Sequence, residues 1–384
     1  MAKYKLGDIC EIVSGSTPKT SIEEYWDGDI KWITPAEIND DTYIVTDSVR
    51  KITDLGAKKT GLSPFPEGTV ILSSRAPIGK VAIAGCAMCC NQGFKNLICS
   101  EKILNKYLYW FLKGNTSFLN SLGRGATFKE ISKSIVSQIE INVPDIEYQK
   151  EAADILEKVS EVIYLRKQEL TALDNLINAR FVEMFGDPVK NPKGWEVVTI
   201  GDIVTEVRYG TSKPAVEGGK YPYLRMNNLT ADGHLDLNDL KYIDIPDDEI
   251  EKCVVRKGDV LFNRTNSIEL VGKTVVFDLQ EDMIIAGYII RVRLNKRLLP
   301  EILSQYMNLE ALKDILRSMA KGAVNQANIN AQELRSIKVY IPDMELQKQF
   351  IEMKNQVDKS KVAVQKALDE TQILFDSLMQ KYFG

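Results

Sequence analysis

Histidine is almost absent from this chain of 384 residues, which contains only His234. One imidazole cannot build a multi-histidine metal site, and a Ser/His or Cys/His hydrolase would depend on that residue alone. Cysteine is also sparse, with six residues, so a secreted disulfide framework is excluded and reduced thiols are expected. The residues around His234, Ala-Asp-Gly-His, are typical of a turn, which favours an inert loop histidine over a base-contacting one.

Long apolar runs are missing as well, since no stretch approaches the roughly 18 residues that a membrane span needs. Residues 1–7 lead into no signal-peptide core, and we therefore expect a cytoplasmic protein with no membrane association.

The chain has no large excess of positive charge, because it contains 49 Lys and Arg and 53 Asp and Glu. This balance excludes a uniformly basic nucleic-acid coat and leaves local basic patches open.

What the sequence does contain is an internal repeat at an offset of about 195 residues, and the length itself suggests two domains. The markers are residues 6–15 (LGDICEIVSG) with 200–210 (IGDIVTEVRYG), Ser74-Arg75 and Gly79-Lys80 with Asn263-Arg264 and Gly272-Lys273, residues 125–127 (GAT) with 322–324 (GAV), Pro144-Asp145 and Gln149-Lys150 with Pro342-Asp343 and Gln347-Lys348, and residues 184–186 (MFG) with 382–384 (YFG).

Each copy divides into a globular part and a long helix. Residues 1–145 and 187–343 carry short β-rich runs between Gly, Pro and Asn, which is typical of compact α+β domains. Residues 146–186 and 344–384 carry apolar residues at spacings of three, four and seven, which predicts amphipathic helices of about 35 residues. A lone helix with one apolar stripe cannot bury it within its own domain. We therefore predict an antiparallel coiled coil joining two similar domains, with a pseudo-twofold internal repeat.

Two similar but non-identical domains on a rigid spacer suit a ligand that is itself repetitive, and duplex DNA with two different half-sites is the obvious one. Arg suits guanine edges, Asn and Gln suit adenine edges, and Lys, Ser and Thr mostly hold phosphates. The candidate DNA contacts in the first domain are Ser16, Thr17, Lys19, Ser73, Ser74, Arg75, Lys80, Lys95, Arg124, Thr127 and Lys129. Those in the second domain are Thr211, Ser212, Lys213, Arg225, Asn227, Asn228, Asn263, Arg264, Asn266, Lys273, Lys321, Asn325 and Gln326.

Neither domain is basic overall. Residues 1–145 contain 17 basic and 16 acidic residues, and residues 187–343 contain 21 and 23. We therefore expect the isolated chain to bind DNA modestly and with a strong dependence on salt.

The tandem layout, the Leu-Gly-Asp opening, the Gly-Ala-Thr and Gly-Ala-Val stretches, the Pro-x-x-x-x-Gln-Lys helix entries and the Phe-Gly endings resemble the specificity subunit of type I restriction-modification systems. The resemblance covers essentially the whole chain. It implies two target-recognition domains, each reading half of a split DNA sequence, and two helical regions that set the gap. It also implies assembly with two methyltransferase subunits and with motor-nuclease subunits. S-adenosylmethionine, ATP and Mg would then be held by those partners, and this chain would hold no cofactor.

Motifs for catalysis are missing, in agreement with that implication. The sequence contains no Asn-Pro-Pro-Tyr or Asp-Pro-Pro-Tyr segment of the kind that holds a flipped base, and no P-loop. Gly123-Arg124-Gly125 does not complete a dinucleotide fingerprint. No catalytic residue and no metal ligand are predicted in this chain.

Three alternatives remain open. Pro342-Asp343 with Glu352-Met353-Lys354 formally matches a metal-nuclease pattern, but residues two apart on a helix point to different sides. Cys86, Cys89, Cys90 and Cys99 could bind zinc, although apolar residues at the comparable place in the second copy favour thiols that act as small buried side chains. The third alternative is a scaffold that does not bind DNA, whose two heads bind proteins across the coiled coil. It would lack the steep salt dependence of a DNA reader.

Overall fold

The computed structural model describes residues 2–75, 77–125, 129–323 and 326–384, and for residues 321–323 and 326 it describes the backbone alone. The chain splits into two compact units. The first contains Met1–Gln168 with Gln365–Gly384, and the second contains Glu169–Val364.

The globular part of the first unit combines short strands with short helices. Its strands are β1 (Ala2–Lys5), β2 (Cys10–Ser14), β3 (Trp26–Ile33), β4 (Ile44–Val45), β5 (Arg50–Ile52), β6 (Val70–Leu72), β7 (Val81–Ala84), β8 (Cys89–Cys90), β9 (Lys95–Cys99) and β10 (Glu140–Val143). Its helices are α1 (Leu6–Ile9), α2 (Asp54–Thr60), α3 (Asn105–Gly114), α4 (Thr116–Ser121) and α5 (Lys133–Ser137), with 3₁₀ turns at Glu23–Tyr25 and Pro35–Glu37. The strands form sheets of order β2-β9-β6-β7-β4, β5-β3-β8 and β1-β10.

The globular part of the second unit is built in the same way. Its strands are β11 (Glu196–Thr199), β12 (Val204–Tyr209), β13 (Tyr221–Leu224), β14 (Lys241–Ile243), β15 (Val254–Val255), β16 (Val260–Asn263), β17 (Thr265–Asn266), β18 (Thr274–Val276), β19 (Met283–Ile285), β20 (Ile289–Leu294), β21 (Lys321–Ala323), β22 (Gln326–Asn328) and β23 (Lys338–Ile341). After the first long helix, α6 (Ile146–Phe185), its helices are α7 (Ile200–Ile203), α8 (Asp247–Cys253), α9 (Pro300–Asn308), α10 (Glu310–Met319) and α11 (Ala331–Ser336), with a 3₁₀ turn at Met226–Asn228; the second long helix is α12 (Met344–Phe383).

The strand order repeats between the units. The sheet β12-β20-β16-β18 matches β2-β9-β6-β7, the run β14-β13-β19 matches β5-β3-β8, and β11-β23 matches β1-β10. In both copies the strand pair β3-β8 or β13-β19 is parallel, while β2-β9 and β12-β20 are antiparallel. The predicted fold class, two similar α+β domains with an internal repeat, is confirmed.

The long helices pack against each other in opposite directions within each unit. In the first unit, the start of α6 meets the end of α12, where the rings of Tyr148 and Tyr382 lie 5.8 Å apart. In the second unit, Phe181 near the end of α6 lies 5.2 Å from Phe350 near the start of α12. Phe181 and Phe350 are fully buried, and burying one such ring stabilises the fold by about 1.5–3 kcal/mol. The predicted antiparallel pairing of the helices is therefore present.

Each long helix has 40 residues, five more than the sequence predicts, and is about 60 Å long at 1.5 Å per residue. Local signals set both ends of α6. Asp145 Oδ1 accepts the Tyr148 N–H at 2.8 Å, so the first turn of α6 is capped directly after Pro144. At the other end the helix continues to Phe185 and stops at Gly186, whose φ of 89° suits glycine. Among the described residues, no helix is both long and apolar enough to cross a bilayer.

A buried glutamine explains the repeated Pro-x-x-x-x-Gln-Lys motif. The Gln149 side chain is inaccessible to solvent, and its amide donates to the carbonyl oxygens of Lys102 and Pro144 and accepts the Leu104 N–H at 2.8 Å. The equivalent Gln347 makes the same three bonds in the second unit. In both units the amide joins the globular part to the first turn of a long helix.

Candidate nucleic-acid interface

Backbone hydrogen bonds fix the register of the repeat at the end of β6 and β16. The matching bonds join Ser73 to Gly79 and Lys80 in the first unit, and Asn263 to Gly272 and Lys273 in the second. Ser73 therefore corresponds to Asn263, and Ser74 to Arg264. The sequence alignment that pairs Arg75 with Arg264 is therefore wrong by one residue. The turn between Ser73 and Gly79 is shorter than the turn between Asn263 and Gly272, so the spacing of the sequence markers did not fix the register.

In the first unit, five predicted contacts and one acidic residue lie together. Glu130 Oε2 lies 2.9 Å from Arg75 Nε, and its Oε1 lies 3.4 Å from Lys95 Nζ. Lys95 Nζ also donates to Ser74 Oγ at 3.3 Å, and the backbone of Arg124 exchanges two hydrogen bonds with that of Glu130. Burial acts to raise the pKa of Glu130, but the hydrogen bond and charge of Arg75, with the charge of Lys95, lower it overall. The fifth contact, Lys129, is exposed beside this group.

The loop at residues 16–19 lies beside this cluster, because Ser14 at the end of β2 pairs with Lys95 on β9. Ser16 N donates to the Cys90 carbonyl at 3.0 Å, and Thr17 Oγ1 bonds to the Gln92 side chain. The exposed Lys19 is anchored through its carbonyl, which accepts the Trp26 indole N–H at 3.2 Å. The loop is thus held by its backbone, and the side chain of Lys19 remains exposed.

In the second unit, the equivalent place holds an arginine and two tyrosines. The Arg264 guanidinium lies 5.0 Å from the ring centroid of Tyr209. The Arg264 N–H donates to the Tyr288 carbonyl at 2.9 Å, and its Nη1 reaches the Gly287 carbonyl at 3.4 Å. Gly287 N donates to the Thr211 carbonyl at 2.7 Å, which brings the loop at residues 211–213 to the same place.

Four of the predicted contacts are instead bonded into the scaffold. Ser73 and Asn263 are fully buried. Lys80 Nζ donates to the carbonyls of Pro35 and Ile38, and Lys273 Nζ donates to the Met226 carbonyl at 2.9 Å. In both units the lysine therefore fastens the 3₁₀ turn to the central sheet.

A second group of predicted contacts lies around the 3₁₀ turn of the second unit. Arg225 Nη2 forms an ion pair with Asp239 at 2.7 Å. Asn228 is buried and bonds to the Asp236 carbonyl and the Arg225 N–H, while Asn227 is exposed.

The remaining predicted contacts have varied surroundings. Lys213 pairs with Glu249 at 3.0 Å, Asn266 Nδ2 donates to Asn263 Oδ1 at 2.9 Å, and Ser212 is exposed. The backbones of Lys321 and Gln326 lie in β21 and β22, whereas Thr127 and Asn325 lie outside the described residues.

Four residues that were not predicted as contacts lie in the groups around Lys95 and Arg264. Glu130 and Gln92 are the acceptors that hold the donors of the first unit. Arg50 lies 3.4 Å from the ring centroid of Trp26, beside the anchored loop. Tyr209 directly precedes Gly210 in the repeated opening segment, which was the available signal for it.

The four thiols considered as zinc ligands do not converge on one point: Cys86 packs with the apolar cluster of Cys90, and the others have separate surroundings. Cys99 pairs across the sheet with Cys10, Cys89 packs in the cluster of Trp26, and Cys90 accepts a hydrogen bond from Asn96 at 3.0 Å. Burial raises the pKa of Cys89 to about 11 and that of Cys90 to about 12. Among the described residues, no group of three or more His, Cys, Asp or Glu is placed to hold a metal ion.

The nuclease pattern lies within α12. Glu352 is exposed, Met353 packs against the core of the second unit, and Lys354 pairs with Asp358 one turn later. These three residues therefore serve the helix, and their side chains diverge as the helical spacing predicts.

His234 lies beside an ionic cluster in the second unit. Its Nε2 lies 3.8 Å from Asp232 and 3.9 Å from Asp358 on α12. Lys361 on the same helix contacts Asp232 at 3.2 Å and also pairs with Asp174 on α6. The cluster joins the loop after the 3₁₀ turn to both long helices.

The two globular parts share one topology and carry different donor side chains at the same place. This arrangement defines a class of proteins with two duplicated, diverged binding domains. Solved structures support the fold. The S subunit of a type I restriction-modification system from M. genitalium aligns over 100% of this chain and 96% of its own, with a TM-score of 0.56 and 16% identity. A chain from a structure concerned with complex assembly and conformational transition of the type I R-M system aligns over 100% and 97%, with a TM-score of 0.59 and 20% identity.

The chain belongs to the family described as type I restriction modification DNA specificity domain, whose profile matches residues 1–175 and 192–371. The type I restriction enzyme MjaIX specificity subunit of Methanocaldococcus jannaschii is 37% identical over 247 residues, which cover 59% of this chain and 57% of that relative. The EcoKI specificity subunit of Escherichia coli K12 is 25% identical over 345 residues, covering 83% and 74%. The resemblance inferred from the sequence is therefore confirmed, and the family is one of specificity components rather than catalytic ones.

Proposed function

We propose that this chain is the DNA-specificity subunit of a type I restriction-modification complex and that it reads a bipartite target. The residues of the first globular part bind one half-site, and those of the second bind the other. Catalysis, with S-adenosylmethionine, ATP and Mg, belongs to partner subunits. In this proposal the chain acts in the cytoplasm, where bacterial and archaeal DNA lies.

One observation carries this proposal: equivalent places on two copies of one scaffold hold different donors. Ser74 stands beside Arg75, Lys95 and Glu130 in the first unit, while its counterpart Arg264 stands beside a tyrosine ring in the second. Base edges are distinguished by their hydrogen-bonding groups, so a shared scaffold with divergent side chains supports two different half-sites. Lys80 and Lys273 make equivalent bonds to the 3₁₀ turns of the two copies, which supports a shared scaffold beneath the differing side chains.

The partners in this proposal are two methyltransferase subunits and the motor-nuclease subunits, besides double-stranded DNA. Exposed apolar side chains on the long helices support such docking. Val362 and Ile373 are each 70% exposed, and Leu165 and Leu374 are 53% and 51% exposed. Large apolar side chains exposed on a helix suit burial against another helix.

A domain exchange tests the proposal. The chain is co-expressed with the methyltransferase subunits of its own system, and methylated adenines are mapped across a genome. Replacing residues 1–145 with those of a relative should change one half of the methylated motif and leave the other half and the gap unchanged. The matched control exchanges residues 187–343 and should change the opposite half. A change of both halves by either exchange would refute independent reading.

The scaffold that does not bind DNA is tested with the same purified complex. A DNA reader should lose affinity steeply as salt rises, because binding releases counterions from the phosphates. Wild-type complexes that methylate without regard to base order, or that bind DNA with no salt dependence, would contradict the proposed function.

A further inference from the structure

Most arginines of the second globular part are neutralised by carboxylates. Seven of them form ion pairs with Asp or Glu at 2.5–3.0 Å, namely Arg208, Arg225, Arg256, Arg291, Arg293, Arg297 and Arg317. Among the residues that the structure describes, Arg264 and Arg335 have no such partner. Arg335 is exposed on α11, whereas Arg264 lies where β12, β16 and the turn before β20 meet.

The backbone of Arg264 is fixed on both sides. Its N–H donates to the Tyr288 carbonyl, and its carbonyl accepts the Ile329 N–H, both at 2.9 Å. The residue therefore belongs to a rigid junction of strands, and only its side chain is available for a ligand. Sites on such elements hold a side chain more accurately than loops do.

The side chain is held without being neutralised. Its guanidinium lies against the ring of Tyr209, and the Tyr209 hydroxyl accepts the Ala331 N–H at 2.8 Å, which fixes the ring. Of the two terminal nitrogens, Nη1 reaches only the Gly287 carbonyl, at 3.4 Å, and Nη2 has no acceptor in the described structure, while Nε is buried and unpaired. A ligand that brings two acceptors in one plane would complete this arrangement, because the guanidinium is a planar fork.

We propose that Arg264 reads a guanine of the half-site bound by the second unit, by donating from its two terminal nitrogens to guanine O6 and N7, and that Tyr209 is its positioning residue. The inference rests on the proposed function. Guanine is the base that presents two acceptors side by side in the major groove. The corresponding residue of the first unit is Ser74, next to the acidic Glu130, so the two units read different bases at this position.

The test uses the purified complex of this chain with its methyltransferase subunits. Once the methylated motif of the wild type is known, each guanine of the second half-site is replaced in turn by 7-deazaguanine, which lacks the N7 acceptor. Wild-type complex should lose about 10- to 100-fold in affinity at one of these positions. Arg264→Ala should bind normal DNA more weakly by a similar factor and should be insensitive to 7-deazaguanine at that position alone.

Four further variants distinguish base reading from folding and from phosphate contact. Arg264→Lys keeps the charge but not the planar fork, and should lose the preference for guanine while retaining much of the affinity. Tyr209→Leu should weaken the guanine preference, and Tyr209→Phe should restore most of it because the ring remains. Arg208→Ala removes a nearby arginine that is already paired with Glu206, and should leave the preference unchanged.

The outcomes separate this inference from the proposed function. If the wild type methylates a bipartite motif but Arg264→Ala keeps the same sensitivity to 7-deazaguanine at every position, the inference is wrong and the function stands. A uniform loss of affinity that is independent of sequence would assign Arg264 to a phosphate and would also overturn the inference. Wild-type methylation without a motif would overturn the function itself.

Discussion

At the scale of single residues, one buried charge of the second unit lies under the turn between β16 and β18. Lys313 is only 8% exposed, and its Nζ donates to the Gly272 carbonyl at 2.8 Å and to Asn308 Oδ1 at 2.9 Å. Burial, together with the positive charges of Arg317 and Lys273, lowers its pKa to about 8, although Glu310 acts in the opposite direction. The lysine therefore orders the turn at the cost of burying a cation.

This lowered pKa predicts how stability depends on pH. An unfolded lysine has a pKa of about 10.4, so between pH 8 and that value the unfolded chain binds more protons than the folded one. The contribution of Lys313 to the free energy of unfolding should therefore rise with pH across this window, by up to about 3 kcal/mol. The measurement is urea unfolding of the wild type and of Lys313→Met from about pH 7.5 to 10.5.

The difference between wild type and Lys313→Met should grow in favour of the wild type as pH rises. Lys257→Met serves as the matched control, because Lys257 is exposed in the same unit. A difference between wild type and Lys313→Met that stays constant over the whole range would show that burial does not shift this lysine.

Residues that both copies share hold the scaffold together, whereas residues that differ between the copies are the candidates for reading DNA. The sequence alone did not separate these two groups. Lys80 and Lys273 stand at equivalent places and were selected as DNA contacts, but both bind backbone carbonyls. Arg264 stays a predicted DNA contact, whereas its alignment with Arg75 was wrong. The length of a turn cannot be read from residue types, and the hydrogen bonds that set the register are visible only in the fold.

At the scale of elements, the entry to each long helix depends on a buried amide. Replacing Gln149 by Met keeps the volume but leaves the Leu104 N–H and the carbonyls of Lys102 and Pro144 without their partner. Unpaired buried groups cost about 1–3 kcal/mol each, so the loss of three partners in Gln149→Met should lower the free energy of unfolding by about 3 kcal/mol or more. Gln347→Met should do the same in the second unit.

Denaturant unfolding monitored by circular dichroism provides the measurement for both variants. Gln356→Met is the control, because Gln356 is exposed on the second long helix and its replacement should change stability by less than about 0.5 kcal/mol. Equal stabilities for all three variants would show that the amide does not hold the helix entry.

The elements themselves were predictable to different degrees. The long helices follow from apolar spacing alone, and their existence and pairing were predicted, although the predicted length of about 35 residues is below the observed 40. The parallel pairs β3-β8 and β13-β19 join strands that are far apart in the chain. Such pairs depend on tertiary contacts, and no local pattern in the sequence indicates them.

At the scale of the whole molecule, the chain passes from one compact unit to the other only within α6 and α12. In the proposed function, the distance between the half-sites is then set by helix length. Inserting four helix-forming residues after Gln168 and four after Val364 lengthens both helices by about 6 Å and keeps their antiparallel alignment. Because base pairs rise by about 3.4 Å, the methylated motif should gain one or two base pairs of gap while both half-sites stay the same.

Methylation mapping of the co-expressed complex measures the length of this gap. As a control, the same four residues are inserted after Gly218, in a loop whose glycine faces open space, and this insertion should leave the motif unchanged. An unchanged gap in the lengthened variant would mean that the helices do not set the spacing.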